Sequence, residues 1–546
     1  MATRKKALVP PRTHLPLKGS HRELLPKSRG LGAVNAGEIA AITVRTRARS
    51  NLADLEKKVH RLYARSLKQR RYLTHDELAA LHGARPEDLD AIEAYAQHHN
   101  LVITRRSAAQ RSITLSGTLG DLLNAFPSKL RMYHHSSGIY RGREGAVHIP
   151  AQFEGIITGV FGFDTRPRHK SPKRHLAQRA EAGGGKGVAA TEFARRYDFP
   201  SSHNGASLDG SGQCIAIIEL GGGFDANDLK VFFRKIKVPL PNVVAVSVDG
   251  AHNHPTPGGG ADGEVLLDIE VAGAVVPKAT IAVYFAPNTD KGLMDATNAA
   301  IHDAERKPGV VSISWGSSED PSDAQSNQAY REIFVEAAAL GITICAAAGD
   351  HGSANMAGGD WDGKIHVDHP SVDPYVLACG GTQIDDAGVD VVWNDGTAFD
   401  PKLSGGGGWA GGGGVSVVFA APPYQSKAGA PKSLVSGKRG RGIPDIAMSA
   451  NNYFTRVHGV DAPSGGTSAV APLMAALVAL LNQAKGKNVG FLNPFLYANA
   501  GKGLFTDVVK GTNAIKGASK GYVAGKGWNA CSGLGTPIGR KILAHL

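Results

Sequence analysis

Apolar positions along the chain switch between a helical period and an alternating one, and the switches predict the elements. Within residues 36–165, ITVRTR reads as a strand, followed by helices LADLEKKVHRLYARSL, DELAALH and RPEDLDAIEAYAQHH. Strands LVITRR and SITLSG and helix LGDLLNAF complete that region. Thr74 and Glu77 carry a capping-box signature where the second helix opens. This succession predicts a small α+β, ferredoxin-like domain. From Thr191 the rhythm changes: apolar strands QCIAIIEL, TIAVYFA, VVSISW and ITICAAAGD alternate with helices such as EVLLDIEVAGAVV and DAQSNQAYREIFVEAAAL. That rhythm predicts an α/β domain over 191–546, a doubly wound parallel sheet covered on both faces. Chemistry in such a fold is expected at the carboxyl ends of the strands. Two stretches lack any apolar period. Residues 1–35 are basic and proline-containing and are predicted disordered. Residues 166–190 are basic, then glycine-rich, and read as an accessible, cleavable linker.

Composition sharpens this division. A chain of 546 residues exceeds what one hydrophobic core normally serves. The longest apolar run, Ala469 to Leu481, is shorter than a membrane span and carries Pro472, so it reads as a core helix. The N-terminal MATRKKALVPPRTHLPLKGS has basic residues without an apolar core, so no ordinary signal peptide is read there. Cys214, Cys345, Cys379 and Cys531 are far apart, three of them inside apolar strand-like runs, and read as buried free thiols. Residues 1–190 hold 33 Lys and Arg against 15 Asp and Glu, whereas the remainder holds 28 against 33. A basic arm of this kind suits nucleic acid or electrostatic docking on the acidic remainder. Its Lys and Arg are poorly interleaved with aromatic residues, which favours docking.

The stretch PSGGTSAVAP sets Ser468 in the first turn of an apolar helix, the way subtilisin-like proteases present a nucleophile. The usual base, a histidine in a His-Gly-Thr-His helix, has no counterpart in this sequence. Instead, helix EVLLDIEVAGAVV carries Glu264 and Asp268 one turn apart on one face. Like charges so placed cost stability, and the rest of that helix is apolar nearly all round. The pair reads either as a solvated or salt-bridged face, or as coupled carboxyls sharing a proton. On the second reading Glu264 is the base and Asp268 orients it. Strand ends supply Glu219, Trp315 and Asp350. A protonated Asp350 would donate to an oxyanion beside the Ser468 backbone N–H. Carboxylates in these roles place the chemistry at acid pH.

With Ser468, Glu264, Asp268 and Asp350 in view, the chain strongly resembles the sedolisins, or serine-carboxyl peptidases, of the kumamolisin type. The segments that carry the resemblance are IIELGGG, GEVLLDIEVAGAVVP, SISWG, AAAGD, DPYVLACGGT and SGGTSAVAP, within residues 36–546. The resemblance implies a subtilisin-like fold, an acid-active endopeptidase and an N-terminal propeptide removed by self-cleavage. It assigns Glu219 and Trp315 to a hydrogen-bonded network behind the carboxylates. It also implies one Ca2+ site built from Asp507, the carbonyls of Val508, Gly525 and Gly527, and position 529, where aspartate is replaced by Asn529. An amide oxygen still binds calcium, so a weakened site is expected. The basic first third then reads as a prodomain that docks on its own catalytic part and inhibits it. Falling pH would protonate catalytic-domain carboxylates and loosen that docking. Asp368 is read as a loop acid or as part of a subsite for a basic side chain. The run 404–416 is read either as close-approach backbone for substrate or as a flexible loop. A tripeptidyl-peptidase of the same family and a non-catalytic peptide-binding relative are the alternatives. The family implies a monomer working outside the cell or in an acidic compartment, with peptide substrates and no nucleic acid.

Overall fold

The structure is a computed structural model that describes residues 13–25, 27–135, 138–167, 187–257, 261–319, 324–354, 364–398, 408–517 and 520–546. Most of the predicted linker, residues 168–186, lies outside these, as does 404–407 of the glycine-rich run.

The catalytic part is built on eight strands: β1 (Cys214–Glu219), β2 (Asn242–Ser247), β3 (Thr280–Phe285), β4 (Val310–Ile313), β5 (Thr343–Ala347), β6 (Leu377–Ile384), β7 (Asp390–Val392) and β8 (Ile446–Ser449). Their order is β2-β3-β1-β4-β5-β6-β7, with β8 also paired to β6. Every pairing is parallel except β6 with β7. Strand alternation sends β1 side chains to two cores. Ile215 and Ile217 join the cluster containing helices α1 (Ala261–Val275) and α4 (Thr467–Lys485). Ala216 and Ile218 join the cluster containing α2 (Asp290–Ile301) and α3 (Ala324–Leu340). The sheet is therefore covered on both faces, as the apolar rhythm predicts. Helix α4 is long and apolar enough to cross a membrane by length and composition alone, yet 89% of its apolar window is buried inside the protein. The four cysteines are buried and unbridged.

The N-terminal part has the ferredoxin-like succession. Strands Ile39–Thr46, Val102–Ser107, Ser112–Thr118 and Ile157–Phe161 form one antiparallel sheet in which the first and third strands are central. The capping box at Thr74 and Glu77 is formed as read. One expectation changes. Residues 13–25 and 27–35, read as disordered, carry strands His14–Pro16 and Arg29–Ala33. Their order comes from distant partners, strands His148–Pro150 and Lys129–His135, and no local period announces it. Arg22 from this segment pairs with Asp290 of the catalytic part.

Helices Leu52–Tyr63 and His75–His82 pack on α3, and Leu55, Val59, Tyr63 and Leu78 share a hydrophobic cluster with Phe334, Val335 and Ala338. Two buried arginines reach across this seam. Arg111 meets Glu332 at 2.7 Å and Glu336 at 2.6 Å, and Arg45 lies 3.5 Å from Glu332. Charge asymmetry along the sequence thus becomes a set of buried ion pairs.

Candidate active site

Helix α1 is buried along nearly its whole length, so its acids are interior groups and not a solvated face. Glu264 is 4% exposed and Asp268 fully buried. Burial pushes the Asp268 carboxyl well above the ordinary carboxylate range, the neighbouring Glu264 adds to the push, and a hydrogen bond from Ser314 opposes it. Glu219, the last residue of β1, is also fully buried and raised, by burial first and then by Asp268 and Glu264. Trp315 Nε1 donates to Glu219 Oε2 at 2.9 Å, the bond that counters the rise. Three carboxyls thus crowd one dry site, which favours keeping some of them protonated.

Ser468 sits in the first turn of α4, which packs directly against α1. Its Oγ makes no hydrogen bond among the described residues, so neither a histidine nor Glu264 engages it in this state. Catalytic hydrogen bonds commonly tighten only when substrate is bound. The link between the Ser468 turn and the carboxyls is Ser314, immediately after β4. Its Oγ donates to Asp268 Oδ2 at 2.6 Å and lies 3.3 Å from the Ser468 carbonyl oxygen. Sequence reading missed Ser314, although it stands inside SISWG; a polar residue at the end of a buried strand was the available signal.

Asp350 follows β5 and is 3% exposed. Its Oδ1 accepts from the Thr467 backbone N–H at 2.8 Å and from Thr467 Oγ1 at 2.7 Å. Asp350 is thereby held against the turn that presents Ser468. The glycine-rich run serves this placement: the Ala410 N–H donates to the Asp350 carbonyl at 2.9 Å and the Gly412 N–H to the Gly349 carbonyl at 2.7 Å. A Cβ on Gly412 would meet the Ala348 carbonyl oxygen at 1.9 Å. In the described part of the run, 408–416, Ala410 and Gly412 pack on the strand end that carries Asp350. Asp368 is buried and lies on a two-residue strand, Asp368–His369, paired with Ser317–Ser318. Its carboxyl sits against Gly316, next to Trp315.

The residues implied for calcium do not fit a cation. Asn529 presents its amide nitrogen, not its oxygen, to the carbonyls of Val508, Gly525 and Gly527. A hydrogen-bond donor fills the point where the carbonyls converge. Asp507 Oδ1 accepts from the Gly527 N–H at 3.2 Å.

Fold and site together define a subtilase-type peptidase with an N-terminal activation domain. Residues 26–166 match the family described as "Pro-kumamolisin, activation domain", and residues 247–496 match "Subtilase family". The chain is 44% identical to "Kumamolisin" of Bacillus sp. over 97% of its own length and 96% of that protein. It is 28% identical to "Sedolisin" of Pseudomonas sp., covering 94% and 88%, and 27% identical to "Tripeptidyl-peptidase sed5" of Aspergillus fumigatus, covering 97% of each. Among solved structures it is similar to Pseudomonas sedolisin in complex with pseudo-iodotyrostatin, with TM-score 0.55 and 28% identity, over 66% of this chain and 98% of that one. The chain belongs to the sedolisin family of serine-carboxyl peptidases, in its kumamolisin branch.

Proposed function

We propose that this chain is the zymogen of an acid-active endopeptidase that removes its own prodomain. The observation that carries the reading is the buried Asp268 carboxyl on α1, raised by burial and by neighbouring Glu264 and joined to the Ser468 turn through Ser314. In the proposed cycle Ser468 Oγ attacks the scissile carbonyl and its proton passes to Glu264. Protonated Asp268, whose Oδ1 makes no hydrogen bond among the described residues, would turn its proton towards Glu264 and orient that carboxylate. The Ser468 N–H, in the first helical turn, and a protonated Asp350 receive the oxyanion. The proton on Glu264 then goes to the leaving amine, and water hydrolyses the acyl-enzyme by the reverse sequence. Asp350 donates only when protonated, and Glu264 accepts only when ionised, which supports work at acid pH and therefore outside the cell or in an acidic compartment. Asp368, beside the carboxyl network, is the proposed contact for a basic substrate side chain.

Release of the prodomain by acid would draw on carboxyls and histidines at the seam. Burial raises the Glu336 carboxyl, but Arg111 and His302 override it and hold the group below its ordinary value; Glu332 is likewise held low by Arg111 and Arg45 against burial. A carboxyl lowered by docking binds its proton more tightly after release, so these groups weaken docking as pH falls below the ordinary carboxylate value. His82 and His60 act at higher pH. Burial lowers His82, with Arg111 adding to it, while Glu336 and Glu332 oppose. Burial against the catalytic part also lowers His60, and Arg331 adds to it. A histidine lowered by docking binds its proton more tightly after release, so docking weakens as pH falls through the ordinary imidazole range.

The test is digestion of a denatured protein over about pH 2–8 by wild type, Ser468→Ala and Glu264→Gln, with a gel after acid incubation. Wild type is expected to shorten by its prodomain and linker and to digest only in acid, with both variants inert and full length. A chain that stays intact and inert at every pH overturns the enzyme reading in favour of peptide binding. N-blocked against free peptides separates endopeptidase from tripeptidyl-peptidase action.

A further inference from the structure

We propose that the Asn529 side-chain amide stands in for a divalent cation, so that the loop from Asp507 to Asn529 is held without metal. The observation is the way the amide is strung between two sets of partners. Its Nδ2 lies 3.0 Å from the Gly525 carbonyl oxygen, 3.3 Å from that of Val508 and 3.4 Å from that of Gly527. Its Oδ1 accepts from the backbone N–H groups of Cys531 at 3.1 Å and Ser532 at 3.0 Å, and from Ser532 Oγ at 3.0 Å.

The surroundings fix this orientation. A backbone N–H can only donate, and a carbonyl can only accept. Turning the amide over would aim its NH2 at two N–H donors and its oxygen at three carbonyls. Swinging it aside would strand the N–H groups of Cys531 and Ser532, both fully buried residues. The carbonyl ring is therefore capped by the partial positive charge of an NH2 group. A calcium ion at that point would need oxygens at roughly 2.3–2.6 Å and would have to displace the nitrogen first. The carboxylate implied for the site, Asp507, is exposed and already accepts from Gly527.

The same geometry says what one atom would change. In Asn529→Asp, one carboxylate oxygen keeps the Cys531 and Ser532 donors. The other points at the three carbonyls, and with Asp507 nearby the site becomes an all-oxygen, net anionic cage. Such a cage repels itself when empty and binds a hard cation when one is supplied.

The test needs no catalysis and so stands apart from the proposed peptidase cycle. Full-length Ser468→Ala chain, with and without Asn529→Asp, is melted in chelator and in about 10 mM CaCl2, above the roughly 1 mM range of weak extracellular sites. Both are then titrated with CaCl2 in a calorimeter. With Asn529 present, the expected result is one melting temperature in both buffers and no saturable heat. Asn529→Asp is expected to melt lower in chelator, to gain several degrees with calcium and to bind one equivalent with Kd of about 1 mM or below. Saturable one-site binding with Asn529 present overturns the proposal, as does a folded Asn529→Asp chain blind to calcium. If Asn529→Asp folds only with calcium, the proposal is supported. If it folds in neither buffer, the titration with Asn529 present decides alone.

Discussion

Asp350 holds Thr467 by two bonds to a single oxygen, 2.8 Å from its N–H and 2.7 Å from its hydroxyl, and so fixes the turn on which Ser468 stands. One carboxyl group thus holds the first N–H of α4, and in the proposed cycle it also serves the oxyanion. Asp350→Ala is expected to lower kcat by about 10²–10³-fold, the usual effect of losing one oxyanion donor. It should also cost about 1 kcal/mol of stability through the lost cap. Single-turnover kinetics beside a melting curve separate the two; a stability loss with unchanged kcat would leave Asp350 a purely structural residue.

Gly466, the residue before Thr467, has φ +123°, and a Cβ there would stand 2.4 Å from Asp350 Oδ2. Gly466→Ala is therefore expected to displace the Asp350 carboxyl and abolish self-processing, even where the chain folds. Near-normal processing on a gel would show that this close approach is dispensable.

The raised Asp268 carboxyl ties stability to pH with a definite sign. A group raised on folding gives stability that is full below its unfolded value, roughly 4, and is lost as pH rises through its folded value. In a Ser468→Ala background, Asp268→Asn should therefore melt higher than its parent at pH near 7 by a few degrees. The two should nearly coincide at pH near 3. An equal difference at both pH values would mean that the Asp268 proton is not coupled to folding.

At the seam between prodomain and catalytic part, Glu336→Gln leaves Arg111 buried with half its charge partners. A broken buried pair typically costs about 3–5 kcal/mol. The expected outcome is poor folding of the zymogen, with recovery on pairing Glu336→Met with Arg111→Met. Failure of the double variant to improve on the single would place the cost in packing and not in charge.

Much of this molecule could be read from its sequence, because the features concerned are local. The two-face burial of β1, the helix bearing Glu264 and Asp268, and the helix presenting Ser468 all announce themselves in apolar spacing. What stayed hidden depends on distant partners. The order of residues 13–25 and 27–35 is set by strands more than a hundred residues away in most of its pairings. Ser314 gains meaning only when β4 ends between α1 and α4. Asn529 was visible as a substitution, but which end of its amide faces the carbonyls is decided by the N–H groups of Cys531 and Ser532. The glycine-rich run stayed ambiguous for a related reason: composition permits close approach without saying to what.

The prodomain helices complete the apolar cluster over α3, and this gives proteolysis a thermodynamic direction. Cutting the linker and losing the first domain strips Phe334, Val335 and Ala338 of neighbours with which they folded. On the proposed activation, the mature chain is therefore expected to be less stable than the zymogen, with a lifetime set by its unfolding barrier. Activation would in that sense be a one-way ratchet: the processed form would inherit a shape that it is not expected to find again unaided.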